Sequence, residues 1–255
     1  MPQSRLSAFN QSDYRSLLRT LRDLGYRDVP LHRAGESGQT MFLRHDIDVC
    51  LESAEEMAQV ESEEGVSATY YFLLSTRLYN LASAESRARL ARIAERGHTI
   101  ALHFDATQYS GDRVLLEQQA EEECQILEKL TGNPVTSISF HRPVKEFLGL
   151  PGAFAGRRHT YEPRFFEQIG YLSDSNGGWH HGHPLDHPAV KAGEAIQLLT
   201  HPVWWMHDER QSAIEAVENL RGKLQARTVE DLAATVTAYR KWLQPDETAS
   251  PPSAS

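Results

Sequence analysis

Cysteine is almost missing from this chain. Two residues among 255, Cys50 and Cys124, do not make a disulfide framework, and each reads most simply as a small buried apolar side chain. No apolar run approaches the ~18 residues of a membrane span, so none is expected. The N-terminal stretch Met1–Arg15 is polar and lacks the apolar segment of a secretory signal, which favours a reduced, cytoplasmic setting. Basic residues are outnumbered, 26 against 35. The resulting net charge of -9 and pI near 5.7 argue against a nucleic-acid partner, which needs a basic face. No repeat of roughly 20–50 residues is visible, which excludes a solenoid. No glycine-rich phosphate loop follows the first expected strand, which weakens a dinucleotide-binding fold.

What is present is a rhythm. Apolar residues at helical spacing predict helices over 13–24, with Ser12 or Asp13 as cap, and over 51–64, 82–96, 113–130 and 163–169. A long helical stretch over 212–243 closes the pattern, divided near Arg227-Thr228. Strands are expected over 40–47, 67–74, 98–104, 135–140, 171–173 and 195–200, with a seventh between Gly182 and Lys191. Strands alternating with helices imply βα units on a parallel sheet, hence an α/β fold closed or nearly closed into a barrel. A single domain is expected: a helical lead-in over 1–40, the barrel over 41–243, and a Pro/Ser-rich disordered tail over 244–255.

In such barrels the chemistry sits at the C-terminal ends of the strands. The first strand ends in Arg44-His45-Asp46-Ile47-Asp48. Side chains alternate along a strand, so Asp46 and Asp48 share a face, and two such carboxylates call for a cation between them. The third strand ends at His103 and Asp105, the fourth at His141, Arg142 and Pro143, the short one at Asp174-Ser175, and the last at His201-Pro202 before Trp204-Trp205. A lone strand-end histidine is usually a hydrogen-bonded structural residue. Convergence of five strand ends is harder to explain that way. Each part also has a bland reading. Asp46 and Asp48 serve as helix caps, Arg142 as a surface ion-pair partner, and Trp204 and Trp205 as packing at the barrel mouth. The histidine-rich stretch from Trp179 to His187 reads as a polar loop over that mouth, or as a second metal site.

These residues resemble the polysaccharide deacetylases, the family 4 carbohydrate esterases that share a domain with nodulation deacetylases. The resemblance runs from about Met41 to Trp205 in the family's motif order. It implies a distorted (β/α)7 barrel and a divalent metal, zinc foremost, with cobalt, manganese, nickel or iron as alternatives. It also implies Asp46 as general base and Asp48 as metal ligand. Gly97-His98-Thr99-Ile100-Ala101-Leu102-His103 resembles the second motif and makes His103 a ligand. Arg142-Pro143 resembles the motif whose arginine orients the base. Asp174 with Trp179 resembles the fourth, and Leu199-Thr200-His201 the fifth, whose histidine is general acid with Asp174 as its partner. One departure is clear. Four residues past His103 the family places a second ligand histidine, and here stands Thr107, a weak donor. His141, Asp105 and His45 are the candidates for the third ligand, with water or no metal as further alternatives.

The expected activity is metal-dependent removal of N-acetyl groups from a sugar unit of a polysaccharide or its intracellular precursor. Trp179, Trp204 and Trp205 are the expected substrate contacts. Two alternatives stand beside it: hydrolysis of a small amide C–N bond, and a catalytically silent saccharide-binding relative, which Thr107 supports.

Overall fold

In the computed structural model, which describes residues 8–244 apart from 37 and 181, parallel strands alternate with helices through the first 200 residues. The strands are β1 (Thr40–Ile47), β2 (Thr69–Phe72), β3 (Thr99–Phe104), β4 (Ser137–Phe140), β5 (Arg158–His159), β6 (Gly170–Ser173) and β7 (Ile196–Thr200). They hydrogen-bond in the order β5-β4-β3-β2-β1-β7-β6, every neighbouring pair parallel. Sequence order therefore follows the ring, and among the described residues β5 and β6 do not pair. The fold is a (β/α)7 barrel distorted by that open seam. The segment Arg27–Asp28 adds a short parallel pairing beside β1.

The helices explain the distortion. The first half carries α1 (Gln11–Asp23), α2 (Leu51–Glu63), α3 (Ala84–Glu95) and α4 (Arg113–Thr131). In the second half only short turns, Pro163–Phe166, Pro188–Ala192 and Pro202–Trp205, stand in their place, each opened by a proline at its first position. Each long helix has a local start. Asn10, rather than Ser12 or Asp13, caps α1 by accepting from the Asp13 N–H at 2.8 Å. Asp112 caps α4, which ends on left-handed Gly132. Cys50 caps α2, so the helix-cap reading of Asp46 and Asp48 falls.

Two expectations need correction. The stretch from Gly182 to Lys191 holds no strand: it forms the turn Pro184–Asp186 and the helix Pro188–Ala192. The seventh strand is β5 instead, two residues long and too short to show alternation. From Glu215 onward the chain forms a second unit. The closing helices Ala213–Thr235 and Thr237–Leu243 divide at Val236, not near Arg227-Thr228. At Val236 the backbone turns extended (φ -110°, ψ 99°), whereas Thr228 stays inside the helix with its Oγ1 bonded back to Leu224 C=O at 2.8 Å. Of the tail expected to be disordered, residues 245–255 lie outside the described residues. No described helix is long and apolar enough to cross a membrane.

All eight residues of β1 are buried, because the strand packs on both faces. Leu43 and Ile47 face the helices and join the main core; Phe42 faces inward with Leu31, Tyr71, Ala101 and Phe165, which plug the barrel floor. The inward row then turns polar through Arg44 and Asp46 to Asp48. That change of chemistry along one strand face makes the site.

Candidate active site

Three ligand-type atoms meet at the C-terminal rim. Asp48 Oδ1 lies 3.1 Å from His103 Nε2 and 3.1 Å from His141 Nδ1. The two ring nitrogens lie 3.2 Å apart, which closes the triangle. Asp48 follows β1, His103 is on β3, and His141 follows β4, so three separate strand ends supply the three atoms. Of the described residues, this is the group of histidine, cysteine and acidic side chains with the spacing to hold a metal ion. The donor set fits one. Asp48 Oδ1 is buried yet makes no hydrogen bond of ordinary geometry, as an atom with its lone pairs aimed at a cation would. Burial disfavours charge on Asp48, but the imidazoles of His103 and His141 hold its carboxyl well below the usual carboxylate range.

His141, reaching the rim from β4, thus joins Asp48 and His103, whereas Thr107 does not belong to this group. The other two candidates are elsewhere. His45 points to the opposite face of β1, where its Nε2 meets Glu61 at 2.7 Å and its Nδ1 meets Thr200 Oγ1 at 2.8 Å. Asp105 is committed to its own loop. It accepts from Thr107 N–H (3.1 Å), Thr107 Oγ1 (2.6 Å), Gln108 Nε2 (3.1 Å) and Arg142 Nη2 (2.8 Å). Burial works against its charge, and these donors still bring its carboxyl down to about 2.

Asp46 lies one step inward. Its Oδ2 accepts from Arg44 Nη2 at 3.2 Å and from Ser139 Oγ at 3.2 Å, while its Oδ1 is buried with no hydrogen-bond partner. The expected pairing of Arg142 with Asp46 is not formed; Arg142 pairs with Asp105 on the rim. Arg44 orients Asp46 instead. It is fully buried, donates to Tyr161 Oη at 3.1 Å, and lies 5.0 Å from the centre of that ring. Arg44 and Ser139 were not singled out from sequence. The signal for Arg44 was available, since it stands two residues before Asp46 and so shares its strand face.

On the far side of the triangle stands His201, whose Nε2 is 3.8 Å from Asp48 Oδ2. Its Nδ1 meets Asp174 Oδ1 at 2.6 Å, and its backbone N–H donates to the same carboxylate. Burial opposes a charged imidazole, but Asp174, then Asp48 and Asp46, raise its pKa to about 9. The ring is therefore protonated at neutral pH, with Nε2 left to donate.

The tryptophans separate. Trp204 borders the cavity that Asp46, Asp48 and His201 line, its ring centre 6.5 Å from that of His201 and its Nε1 buried without a partner. Trp205 is buried and donates to Asp174 Oδ2 at 2.7 Å, so it braces the dyad from behind. Trp179 packs against Phe9 and Trp205 on a different cavity with His183 and Leu185. Neither Trp179 nor Trp205 borders the site, and among the described residues none of the histidines between 180 and 187 does. The loop over the mouth contributes Ser175 and Asn176 instead. The cavity at this rim measures about 200 Å³ and gathers Asp46, Asp48, His103, His141, His201 and Trp204.

No family model matches the chain, and no curated protein matches it. Among solved structures it is similar to a family 4 carbohydrate esterase from Bacillus anthracis, at 16% identity and a TM-score of 0.44, over 84% of this chain and 86% of that one. It is similar to a Streptococcus pyogenes deacetylase in complex with acetate, at 11% identity and a TM-score of 0.45, over 83% of this chain and 87% of that one. It is also similar to a family 4 pseudoenzyme from Bacillus anthracis, at 12% identity and a TM-score of 0.39, over 73% of this chain and 60% of that one. At these identities and scores nothing about activity is carried over from them.

Proposed function

We propose that this protein is a metal-dependent hydrolase of the polysaccharide deacetylase kind, removing N-acetyl groups from a sugar unit of a polysaccharide or its precursor. The observation that carries this reading is the juxtaposition at one rim. A triangle of Asp48, His103 and His141 stands between a carboxylate with an unpartnered oxygen, Asp46, and a histidine–carboxylate pair, His201 and Asp174.

Asp48, His103 and His141 would hold a divalent ion, zinc foremost, which supplies Lewis-acid polarisation of the amide carbonyl and makes water more acidic. The remaining chemistry belongs to the protein. Asp46 Oδ1 accepts the proton of the attacking water as its oxygen bonds to the carbonyl carbon. Arg44 and Ser139 fix the other oxygen and so set the direction of that lone pair. His201 Nε2 donates its proton to the departing nitrogen as the C–N bond breaks. Asp174 holds the imidazole by Nδ1 and keeps it charged until that moment. Acetate and a free amine leave. The base and acid have opposed surroundings, a guanidinium beside one and a carboxylate beside the other, as hydrolysis near neutral pH requires.

The size of the cavity, about 200 Å³, supports a second reading in which the substrate is a small non-sugar amide. Acetate release separates the two. Zinc-supplemented protein should release acetate from N-acetylhexosamine derivatives and not from simple acyl amides. No acetate from any sugar, with turnover of a small amide, would replace the first reading by the second.

A further inference from the structure

A second cavity opens against the first. It measures about 410 Å³ and shares Asp48, His141 and Arg142 with the catalytic cavity, so the two join at the metal triangle. Its far wall is the loop after β2, with Ser75, Thr76 and Arg77. That loop is tied down. The Tyr79 hydroxyl donates to Ile47 C=O at 2.6 Å and accepts from Leu73 N–H at 2.9 Å, fastening it to the ends of β1 and β2. Thr76 Oγ1 accepts from Leu78 N–H at 3.2 Å within the turn.

The charge around this cavity is uneven. Its two carboxylates both have cationic or donor neighbours: Asp48 faces the two imidazoles of the triangle at 3.1 Å, and Asp105 accepts from four donors, the Arg142 guanidinium among them. Arg77 is exposed and has no ion pair or hydrogen bond among the described residues, in a chain where acids outnumber bases 35 to 26. Ser75 Oγ is buried in the same wall without a hydrogen-bond partner. A buried hydroxyl without a partner is costly, and a ligand oxygen would supply the missing acceptor.

We propose that this cavity is an anion subsite, and that the substrate is a phosphorylated N-acetyl sugar. Resting on the deacetylase reading above, the acetamido group enters the cavity of Asp46 and His201 while the phosphate lies against Arg77, the outer edge of Arg142 and the Ser75 hydroxyl. A guanidinium matches phosphate oxygens in pairs, and both arginines reach the rim from loops that the barrel holds in place. A sugar linked to a nucleoside diphosphate and one linked to a polyprenyl diphosphate present the same group.

The test is binding by calorimetry on the full chain with Asp46→Asn to prevent turnover, zinc-loaded and again metal-free. The probes are N-acetylglucosamine, its 1-phosphate, its uridine diphosphate ester, a short polyprenyl diphosphate ester and an N-acetylated uronic acid. The phosphorylated probes should bind at least ~10-fold tighter than the neutral sugar, the scale of one charge-assisted contact. Adding Arg77→Gln should remove most of that preference with and without zinc, which separates the arginine from direct binding of phosphate to the ion. Arg33→Gln, whose ion pair is with Glu36, should leave the preference in place. The relative strength of the nucleotide and polyprenyl esters tells the two sources apart. Equal binding of neutral and phosphorylated sugars, no binding of any probe, a preference for the uronic acid, or a preference that survives Arg77→Gln would overturn the proposal. Acetate release by the wild type, measured alongside, tests the deacetylase reading separately. Turnover without phosphate preference removes the subsite alone, and phosphate preference without turnover removes the activity alone.

Discussion

Adjacent residues of β1 feed two buried polar clusters that differ in one respect. Behind the strand, His45 joins Glu61, Thr200, Tyr14, Tyr70 and His98. Glu61 accepts from the Tyr14 hydroxyl and from Tyr70 Oη at 2.6 Å, and meets His45 Nε2 at 2.7 Å. His98 Nδ1 accepts from Ala68 N–H at 3.2 Å, and its Nε2 donates to Ala58 C=O at 2.9 Å. Every polar side-chain atom in that cluster has a partner. In front, at the rim, Asp46 Oδ1, Asp48 Oδ1, His103 Nδ1 and Trp204 Nε1 are buried without hydrogen bonds. A satisfied cluster holds a fold together; one with buried atoms left unsatisfied waits for something the chain does not supply.

Substitutions can break this comparison, and the largest effect is expected in front. Asp46→Asn should lower acetate release per folded molecule by about 10³-fold or more, with metal content little changed. Glu61→Ala should do the reverse. It strands the buried partners of a charge and should cost about 3–5 kcal/mol in chemical denaturation, with little change in rate per folded molecule. A large loss of rate in folded Glu61→Ala would mean that the two clusters are coupled.

A smaller effect is expected at His201, the proposed acid. His201 has a pKa raised to about 9 by Asp174, so its proton is available below that value and lost above it. The rate should fall as pH rises through about 9, and Asp174→Asn should move that limb to lower pH, read from a pH–rate profile. An unmoved limb would show that the limb belongs to another group.

The two arginines sharpen the contrast within the site. Arg142→Gln loses an ion pair on a largely exposed side chain and should cost about 0–1 kcal/mol of stability. Arg44→Gln removes a buried cation from beside Asp46 and should cost several times more, together with activity. Equal losses would contradict the reassignment.

The smallest effect lies on α4. Burial pushes the Glu123 carboxyl up to about 7, against a hydrogen bond from Tyr109 that lowers it. The folded state therefore prefers the protonated form. Stability is highest below the unfolded value near 4.5 and declines as pH rises through about 7. Glu123→Gln should flatten that decline by on the order of 1–3 kcal/mol between pH 4 and 8, measured by denaturation at several pH values.

Most of the barrel was legible because its six longer strands are largely apolar runs, each beginning within a few residues of a glycine or proline. β5 was not, since two residues carry no period. In the site, Asp46, Asp48, His103 and His201 stood out because strand ends in a barrel point one way. Arg44 was hidden by its place inside a motif, although the alternation that paired the aspartates placed it on the same face. His141 was one of three candidates, and only the geometry brings its Nδ1 to the triangle. Trp179 and Trp205 could not be placed from sequence, because the short turn Pro202–Trp205 and the loop before His180 decide which way those rings face.

The central claim is that Asp48, His103 and His141 together hold one divalent ion. Elemental analysis after zinc titration and dialysis tests it directly. The wild type should retain close to one ion per chain, Asp48→Ala and His141→Ala should lose it, and Thr107→Ala should keep it. A wild type that takes up no metal, or a His141→Ala variant that binds it as tightly as wild type, would contradict the account.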